Sequence, residues 1–347
     1  MSSEHTRVVI MAAGKGTRMK SEHAKVMHEI FFAPMLHHVL FSLEPLALLS
    51  ETVVVTGHQA EQVEASLANF PVSFARQSEQ LGTAHAVLAA REFYADFTGT
   101  VLIMCGDTPL IRPETLRGML AKHRSSAVGM TVMTTNMCNP TNYGRIITDT
   151  TGGIIRIVEE KDATPAEKII GEINAGVYCV DGRFLREGLG AVDDKNRQRE
   201  FYLTDLVAIA RGAGVGVSGY SCADSLEVLG VNSRLELAEA HRALQIRRNR
   251  QLMQDGVSIF GEETVEIAPD ARIGRDTVIA RNVLISGNTT VGDACRVGPQ
   301  VVLHDCRLGE GVSVEAGALL FGCEVAAGTS VAAGTVCRSG LVKADPD

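Results

Sequence analysis

The chain has 347 residues, enough for two or three domains at about 100–200 residues each. It is 45% hydrophobic and only 21% charged, which excludes a disordered chain. Its 33 Lys plus Arg against 41 Asp plus Glu leave a net charge of −8, which argues against a dedicated nucleic-acid binder, although a local cluster of cations can still hold a small anion.

From Arg7 to about residue 230, apolar strand-like runs alternate with helical stretches. Val8–Met11, Thr52–Val55, Val101–Met104, Ala127–Met133, Ile154–Val158 and Ala175–Val180 are expected as strands. Met35–Glu44, Gln59–Ala68, His85–Glu92 and Pro113–Arg124 are expected as helices. Such alternation implies an α/β fold with a mostly parallel sheet and helices on both faces. Ligands of such sheets sit beyond the carboxyl ends of the strands, so the working loops should be Ala12–Lys25, Gln77–Thr83 and Cys105–Pro109.

Around Arg234–Gln254 the pattern turns helical, with Arg242, Arg247, Arg248 and Arg250 read as a solvated face on a connecting helix. The grammar then changes. Ile267, Ile273, Ile279, Ile285, Val291, Val297 and Leu303 recur every six residues, and after five-residue steps the series continues through Leu308, Val314, Leu320, Val325 and Val331. Four positions after many of these stands a small or β-branched residue: Ala271, Thr277, Val283, Thr289, Cys295, Val301. This hexapeptide repeat is the mark of a β-helix of roughly four coils, with Gly274, Asn282, Gly287, Asn288, Gly292 and Asp293 at the corners. An antiparallel β domain would instead alternate with period two. The expected organisation is 1–232, a connecting helix over 233–256, and a β-helix over 257–347.

The first apolar run, Val8–Ala13, lacks a signal-peptide layout, and no stretch of about 20 apolar residues occurs, so neither membrane insertion nor export is expected. Eight cysteines form no C-x-x-C, and no H-E-x-x-H occurs, so they read as small buried hydrophobes of a reducing cytoplasm rather than zinc ligands.

The strongest local signal is VVIMAAGKGTRMKSEHAK, residues 8–25. A strand delivers Gly14-Lys15-Gly16, then Thr17, Arg18 and Lys25. Glycines let backbone N–H groups approach phosphate oxygens, Arg18 offers a planar fork and Lys25 a movable point charge. The P-loop pattern does not fit, and the dinucleotide fingerprint would need a glycine where Met19 stands. Asp107, after the apolar strand Val101–Met104, suits Mg²⁺ or else a turn cap. Asn232 alone reads as a helix N-cap, and so does Thr83. Gln77 offers both a donor and an acceptor to a base edge. Glu159 lies in a charged run that alone would be a solvated face.

The A-A-G-x-G-T-R-M loop with a lysine seven residues after the arginine is similar to that of sugar-1-phosphate nucleotidyltransferases. QLGTAHAV (80–87), MCGDTPLI (104–111), NYGRI (142–146), IVEEKDAT (157–164), EINAGVY (172–178), FYLTD (201–205) and GVN (230–232) follow in order. Together they resemble the uridyltransferase half of the bifunctional N-acetylglucosamine-1-phosphate uridyltransferase/glucosamine-1-phosphate acetyltransferase family, over the first 232 residues. The resemblance implies a Rossmann-like domain followed by a short left-handed parallel β-helix, a homotrimer built through that β-helix, and a cytoplasmic enzyme with no nucleic-acid or membrane partner.

It also implies a reaction: UTP and N-acetylglucosamine 1-phosphate give UDP-N-acetylglucosamine and pyrophosphate, with Mg²⁺ on Asp107 and Asn232. Arg18, Lys25 and Asp107 are then catalytic. Met11, Ala12, Ala13, Gly14, Gly16, Thr17, Lys25, Cys105 and Gly106 surround the nucleotide, and Gln77, Gly82 and Thr83 the uridine. Gly144 meets the N-acetyl group, while Glu159, Asn174 and Thr204 lie near the sugar. Ala24, Cys105, Ala175 and Arg199 depart from the family pattern around the sugar and the loop edges. The alternatives are another hexose 1-phosphate with UTP or dTTP, or a non-catalytic assembly or regulatory subunit. Acetyltransferase activity is not expected, since the repeat is read as running out near Gly334 and His304 as a coil-wall residue.

Overall fold

A computed structural model describes residues 5–342. They form two compact units: residues up to Glu29 together with Ala33–Leu237, and Ile30–Phe32 together with Ala238 onward.

The first unit is built on a nine-stranded sheet. Its strands are β1 (Thr6–Met11), β2 (Thr52–Thr56), β3 (Ser73–Arg76), β4 (Thr100–Cys105), β5 (Met130–Asn136), β6 (Arg145–Thr148), β7 (Ile154–Val158), β8 (Glu172–Asp181) and β9 (Val217–Ser221). The main path runs β9-β5-β8-β4-β1-β2-β3, with β6 joining β8 to β7. β1 pairs in parallel with both β2 and β4, and β2 with β3. β8 is antiparallel to β4 and β5, which makes the sheet mixed.

Alternation of side chains along each strand builds one core on each face. Val9, Val53, Val55, Val101 and Ile103 pack on one side. Val8, Ile10, Val54, Leu102 and Met104 pack on the other. The strands read as continuous apolar runs because helices cover both faces. The carboxyl ends of β1, β3 and β4 therefore share one edge, where the three expected loops emerge.

Some boundaries differ from the sequence reading. β5 begins at Met130, because Ala127 ends helix Pro113–Ser126 in a left-handed conformation, φ 49°. Strands β3 and β9 and the helices Gly182–Leu189 and Asp205–Gly212 were not anticipated.

In the second unit, strands stack on three faces in parallel. Ile267 pairs with Ile285 and Ile285 with Leu303. Ile279 pairs with Val297 and Val297 with Val314. Every repeat aliphatic is buried except Ile273, which is partly so, and Ala271, Thr277, Val283, Thr289, Cys295 and Val301 fill the interior beside them. This is the left-handed parallel β-helix that the resemblance implied.

Three expectations need correction. Ser258–Ile259 stacks below Val278–Ile279, and Val336–Val342 stacks on Leu319–Val325, so the coil is taller than four turns and does not run out at Gly334. Of the corner residues, Asn282 and Gly287 take positive φ, whereas Gly292 is small because a Cβ would lie 2.8 Å from the backbone of the next coil. The arginines of helix Arg234–Gln254 are not merely solvated: Arg248 donates to the Ala271 carbonyl at 2.7 Å and Arg250 pairs with Glu262 at 2.9 Å.

All eight cysteines are free; the reading of them as buried holds for most, but Cys138 is exposed. Among the described residues no helix is long and apolar enough to cross a membrane.

Candidate functional site

A cavity of about 270 Å³ opens at the carboxyl ends of β1, β3 and β4. It is lined by Met11, Ala12, Ala13 and Gly14 from the first loop, Lys25 and Val26, then Gln77, Gln80, Gly82, Thr83 and Ala86, with Cys105, Asp107 and Glu200. Val26, Gln80, Ala86 and Glu200 were not singled out as site residues from sequence.

The first loop leaves β1 and reaches a single turn, Thr17–Met19. Gly16 enters that turn with φ 58°. Gly14 faces open space, with nothing within 4 Å of where a Cβ would stand. Thr17 and Arg18 are exposed and do not line the cavity, although the Arg18 charge is felt at the half-buried Tyr143 phenol. Ala24 is buried, and Lys25 follows it in a second short turn, Lys25–Met27.

Lys25 is the centre of the charge arrangement. Its Nζ forms an ion pair with the Asp107 carboxylate and donates to Asn232 Oδ1 at 3.0 Å. Three segments far apart in sequence thus meet at one ammonium. The Val231 N–H donates to the Asp107 carbonyl at 2.9 Å, which holds the Asn232 segment against the Asp107 loop. Asp107 does not cap its turn; the Thr108 hydroxyl closes that turn on the Cys105 carbonyl at 2.9 Å.

Nor does the Asn232 side chain cap the helix. Ser233 Oγ accepts from the Glu236 N–H at 3.3 Å, while Glu236 Oε2 accepts from the Asn232 N–H at 2.7 Å. With the Ser233 hydroxyl also donating to Glu236 Oε2 at 3.0 Å, these bonds secure the helix start and leave the Asn232 amide oxygen for Lys25. One carboxylate and one amide oxygen converging on a cation form a donor set that fits Mg²⁺, which takes few protein ligands beside phosphate and water oxygens.

The Gln77–Thr83 loop is held by backbone proximity. A Cβ on Gly82 would lie 2.5 Å from the Phe201 carbonyl oxygen, and φ there is 123°. Gly82, not Thr83, occupies the cap position of helix Thr83–Ala89. The Thr83 hydroxyl instead accepts from the Leu203 N–H at 2.9 Å. Gln77 is buried and donates from Nε2 to the Gly82 carbonyl at 3.2 Å.

A second cluster adjoins the first through Cys105, whose Sγ lies 3.6 Å from the Gly176 carbonyl. Burial, then the Asp107 charge, push the Cys105 thiol up to about 12, so it is no nucleophile at neutral pH. Glu159 is not on a solvated face. Burial raises its pKa, although Thr204 Oγ1 donates to Glu159 Oε1 at 3.1 Å. Gly144 faces this carboxylate, with its carbonyl accepting from the Asn174 N–H at 2.9 Å. Asn174 Nδ2 donates to the Tyr178 hydroxyl at 2.6 Å. Gly144, Glu159, Asn174 and Thr204 are therefore brought together, beside the cavity rather than in its lining. Gly106 packs under the first loop, where a Cβ would lie 3.3 Å from Ala12 Cβ. Of the departures, Ala175 is buried next to Asn174, and Arg199 takes φ 54° just before Glu200.

Residues 8–164 match the MobA-like NTP transferase domain family. Over 319 residues the chain is 46% identical to a protein named "Bifunctional protein GlmU" from Desulfotalea psychrophila, covering 92% of this chain and 94% of that one. A protein of the same name from Syntrophotalea carbinolica is 44% identical over 325 residues, 94% of this chain and 70% of that one. Another, from Pelobacter propionicus, is 44% identical over 343 residues, 99% of this chain and 74% of that one.

Proposed function

Since the chain belongs to the GlmU family of nucleotidyltransferases, we propose that it makes UDP-N-acetylglucosamine and pyrophosphate from UTP and N-acetylglucosamine 1-phosphate. The observation that carries this reading is the meeting of Lys25, Asp107 and Asn232 at a cavity walled by the glycine loop and by Gln77–Thr83.

The sugar phosphate is already an anion near neutral pH and needs no general base. The difficulty is electrostatic: an anion must approach the α-phosphorus of UTP in line with the departing pyrophosphate. Catalysis is then positioning plus charge stabilisation. Lys25 places its ammonium at the α-phosphoryl oxygens, and Arg18, at the exposed end of its turn, serves the pyrophosphate. Asp107 and Asn232 would hold Mg²⁺, which would supply positive charge to the phosphates when bound. Backbone of Met11–Gly14, Gly16, Thr17, Cys105 and Gly106 shapes the nucleotide side, and Gln77, Gly82 and Thr83 face the uridine. Gly144, Glu159, Asn174 and Thr204 hold the sugar, with Gly144 against the N-acetyl group.

The Cys105 thiol lies between the two clusters and Ala175 is buried next to Asn174, both departures from the family pattern, which favours a second reading: the same chemistry on another hexose 1-phosphate, with UTP or dTTP. A non-catalytic assembly or regulatory subunit is a third reading, opposed by the retention of the loop cations and of Asp107. The deciding experiment is Mg²⁺-dependent pyrophosphate release from UTP with N-acetylglucosamine 1-phosphate and with glucose 1-phosphate. Comparable kcat/KM for the two sugars defeats the first reading, and no release with any sugar phosphate leaves the third.

Acetyl transfer is not part of the proposed function. His304, the only histidine after His241, is exposed on the coil wall, where its Nδ1 is 2.9 Å from Ser286 Oγ and its Nε2 is 3.1 Å from Asp305. Catalytic release of CoA from acetyl-CoA and glucosamine 1-phosphate, abolished by His304→Ala, would overturn this.

A further inference from the structure

Gln77 spends its amide in a particular way. Nε2 donates to the Gly82 carbonyl at 3.2 Å and lies 3.0 Å from His85 Nδ1. A carbonyl oxygen can only accept, so Gly82 fixes Nε2, not Oε1, on this side of the amide. Both amide hydrogens then have partners, and His85 Nδ1 is the accepting side of its contact with Gln77. His85 is half-buried and its ring lies 6.4 Å from that of Phe201, the residue whose backbone packs against Gly82. It does not itself line the cavity, whereas Gln77 does.

We propose that His85 is a positioning residue for base recognition: with Gly82 it locks the Gln77 amide so that only the carbonyl oxygen Oε1 is offered to the base. This rests on the uridine reading of Gln77. An accepting oxygen pairs with the N3–H of uracil and equally with that of thymine. It repels the unprotonated N3 of cytosine, which is itself an acceptor. The lock therefore selects UTP over CTP by charge sign at one ring atom, without any residue shaped against cytosine. Without the His85 acceptor, one amide hydrogen loses its partner and the amide becomes free to rotate, so the discrimination falls.

The test compares wild type with His85→Phe, which keeps a ring beside Phe201 but offers no acceptor, and with His85→Asn, which restores one. UTP and CTP are each assayed for turnover with the same sugar phosphate, and their binding is measured directly. His85→Phe is expected to lower the preference for UTP over CTP by roughly tenfold, the factor one unsatisfied buried hydrogen bond is worth. The loss should fall on KM for UTP, with kcat nearly unchanged, and His85→Asn should recover most of the preference. An unchanged UTP/CTP ratio in His85→Phe, equal losses for both nucleotides, or an Asn variant no better than Phe would overturn the proposal. If His85→Phe fails to fold, His85→Leu takes its place with the same expected outcome. A wild-type protein that does not favour UTP over CTP in binding would remove the uridine reading of Gln77 itself.

Discussion

A methyl group on Gly16 would stand 2.5 Å from Cβ of Lys25. The glycine is thus required less for a phosphate cradle than to let the loop close over the lysine stem. Its φ of 58° independently excludes most side chains.

Gly16→Ala should therefore act as a mutation of Lys25 without removing any charge. The strained backbone should lower stability by about 1–2 kcal/mol. Displacement of the ammonium should cut kcat by about a hundredfold, the scale on which a misplacement of roughly 1 Å is felt. Gly14→Ala, at a position with open space around it, should leave Tm unchanged. Thermal melts and turnover of the two variants check the distinction, and equal losses of Tm would refute it.

Lys25→Ala and Asp107→Ala should each reduce turnover by about two orders of magnitude or more while the fold persists, because both act on charge that develops at phosphorus. Circular dichroism and steady-state kinetics are the measurements. A Lys25→Ala enzyme with near-normal kcat would take the loop out of the mechanism.

Burial raises the Glu159 pKa, so the folded protein holds this proton to a higher pH than the unfolded chain does. The sign follows from linkage: the native state binds more protons between the two pKa values, and stability falls as pH rises through that window. Glu159→Gln carries no such charge. Its Tm relative to wild type should be lowest below the ordinary carboxylate range and should improve as pH rises past the raised value. Melting both proteins from pH 4 to pH 8 gives the comparison, and a pH-independent difference would contradict it.

Assembly is tested most directly by mass. A homotrimer built through the β-helix should scatter light as three times the 37.1 kDa chain. A monomeric mass at micromolar concentration would end that expectation.

What was legible in the sequence followed from where apolar surface had to go. Val8–Met11 and Val101–Met104 stood out because strands covered on both faces are continuous apolar runs. The edge strands β3 and β9 did not, since Ser73, Phe74 and Arg76 are exposed and no residue of Val217–Ser221 is fully buried. The repeat was legible wherever one aliphatic per six residues turned inward. Its first rung was missed because Ile259 pairs with Ile279, twenty positions on, rather than eighteen. At the site, Lys25, Asp107 and Asn232 were found as motif residues. The partners that place them were harder, because Asn232 and Ser233, like Gly82 and Thr83, are adjacent residues that could each occupy a cap position. Glu200 carries no local signal; it reaches the cavity only through the packing of the Phe201 backbone against Gly82.

The Ser233 and Glu236 contacts at the helix start have a consequence for how this centre could be retuned. The helix start is capped one residue downstream, so the side-chain oxygen at 232 answers to the ammonium while only the backbone N–H answers to the helix. Lys25, Asp107 and Asn232 together are electrically neutral. An aspartate at 232 would turn them into a net anion with the cap untouched, tightening the hold on a divalent ion and on Lys25 alike. The position works as a rheostat of local charge, adjustable by one atom exchanged for another at the cost of the hydrogen bond from Asn232 Nδ2 to the Gly230 carbonyl at 3.1 Å.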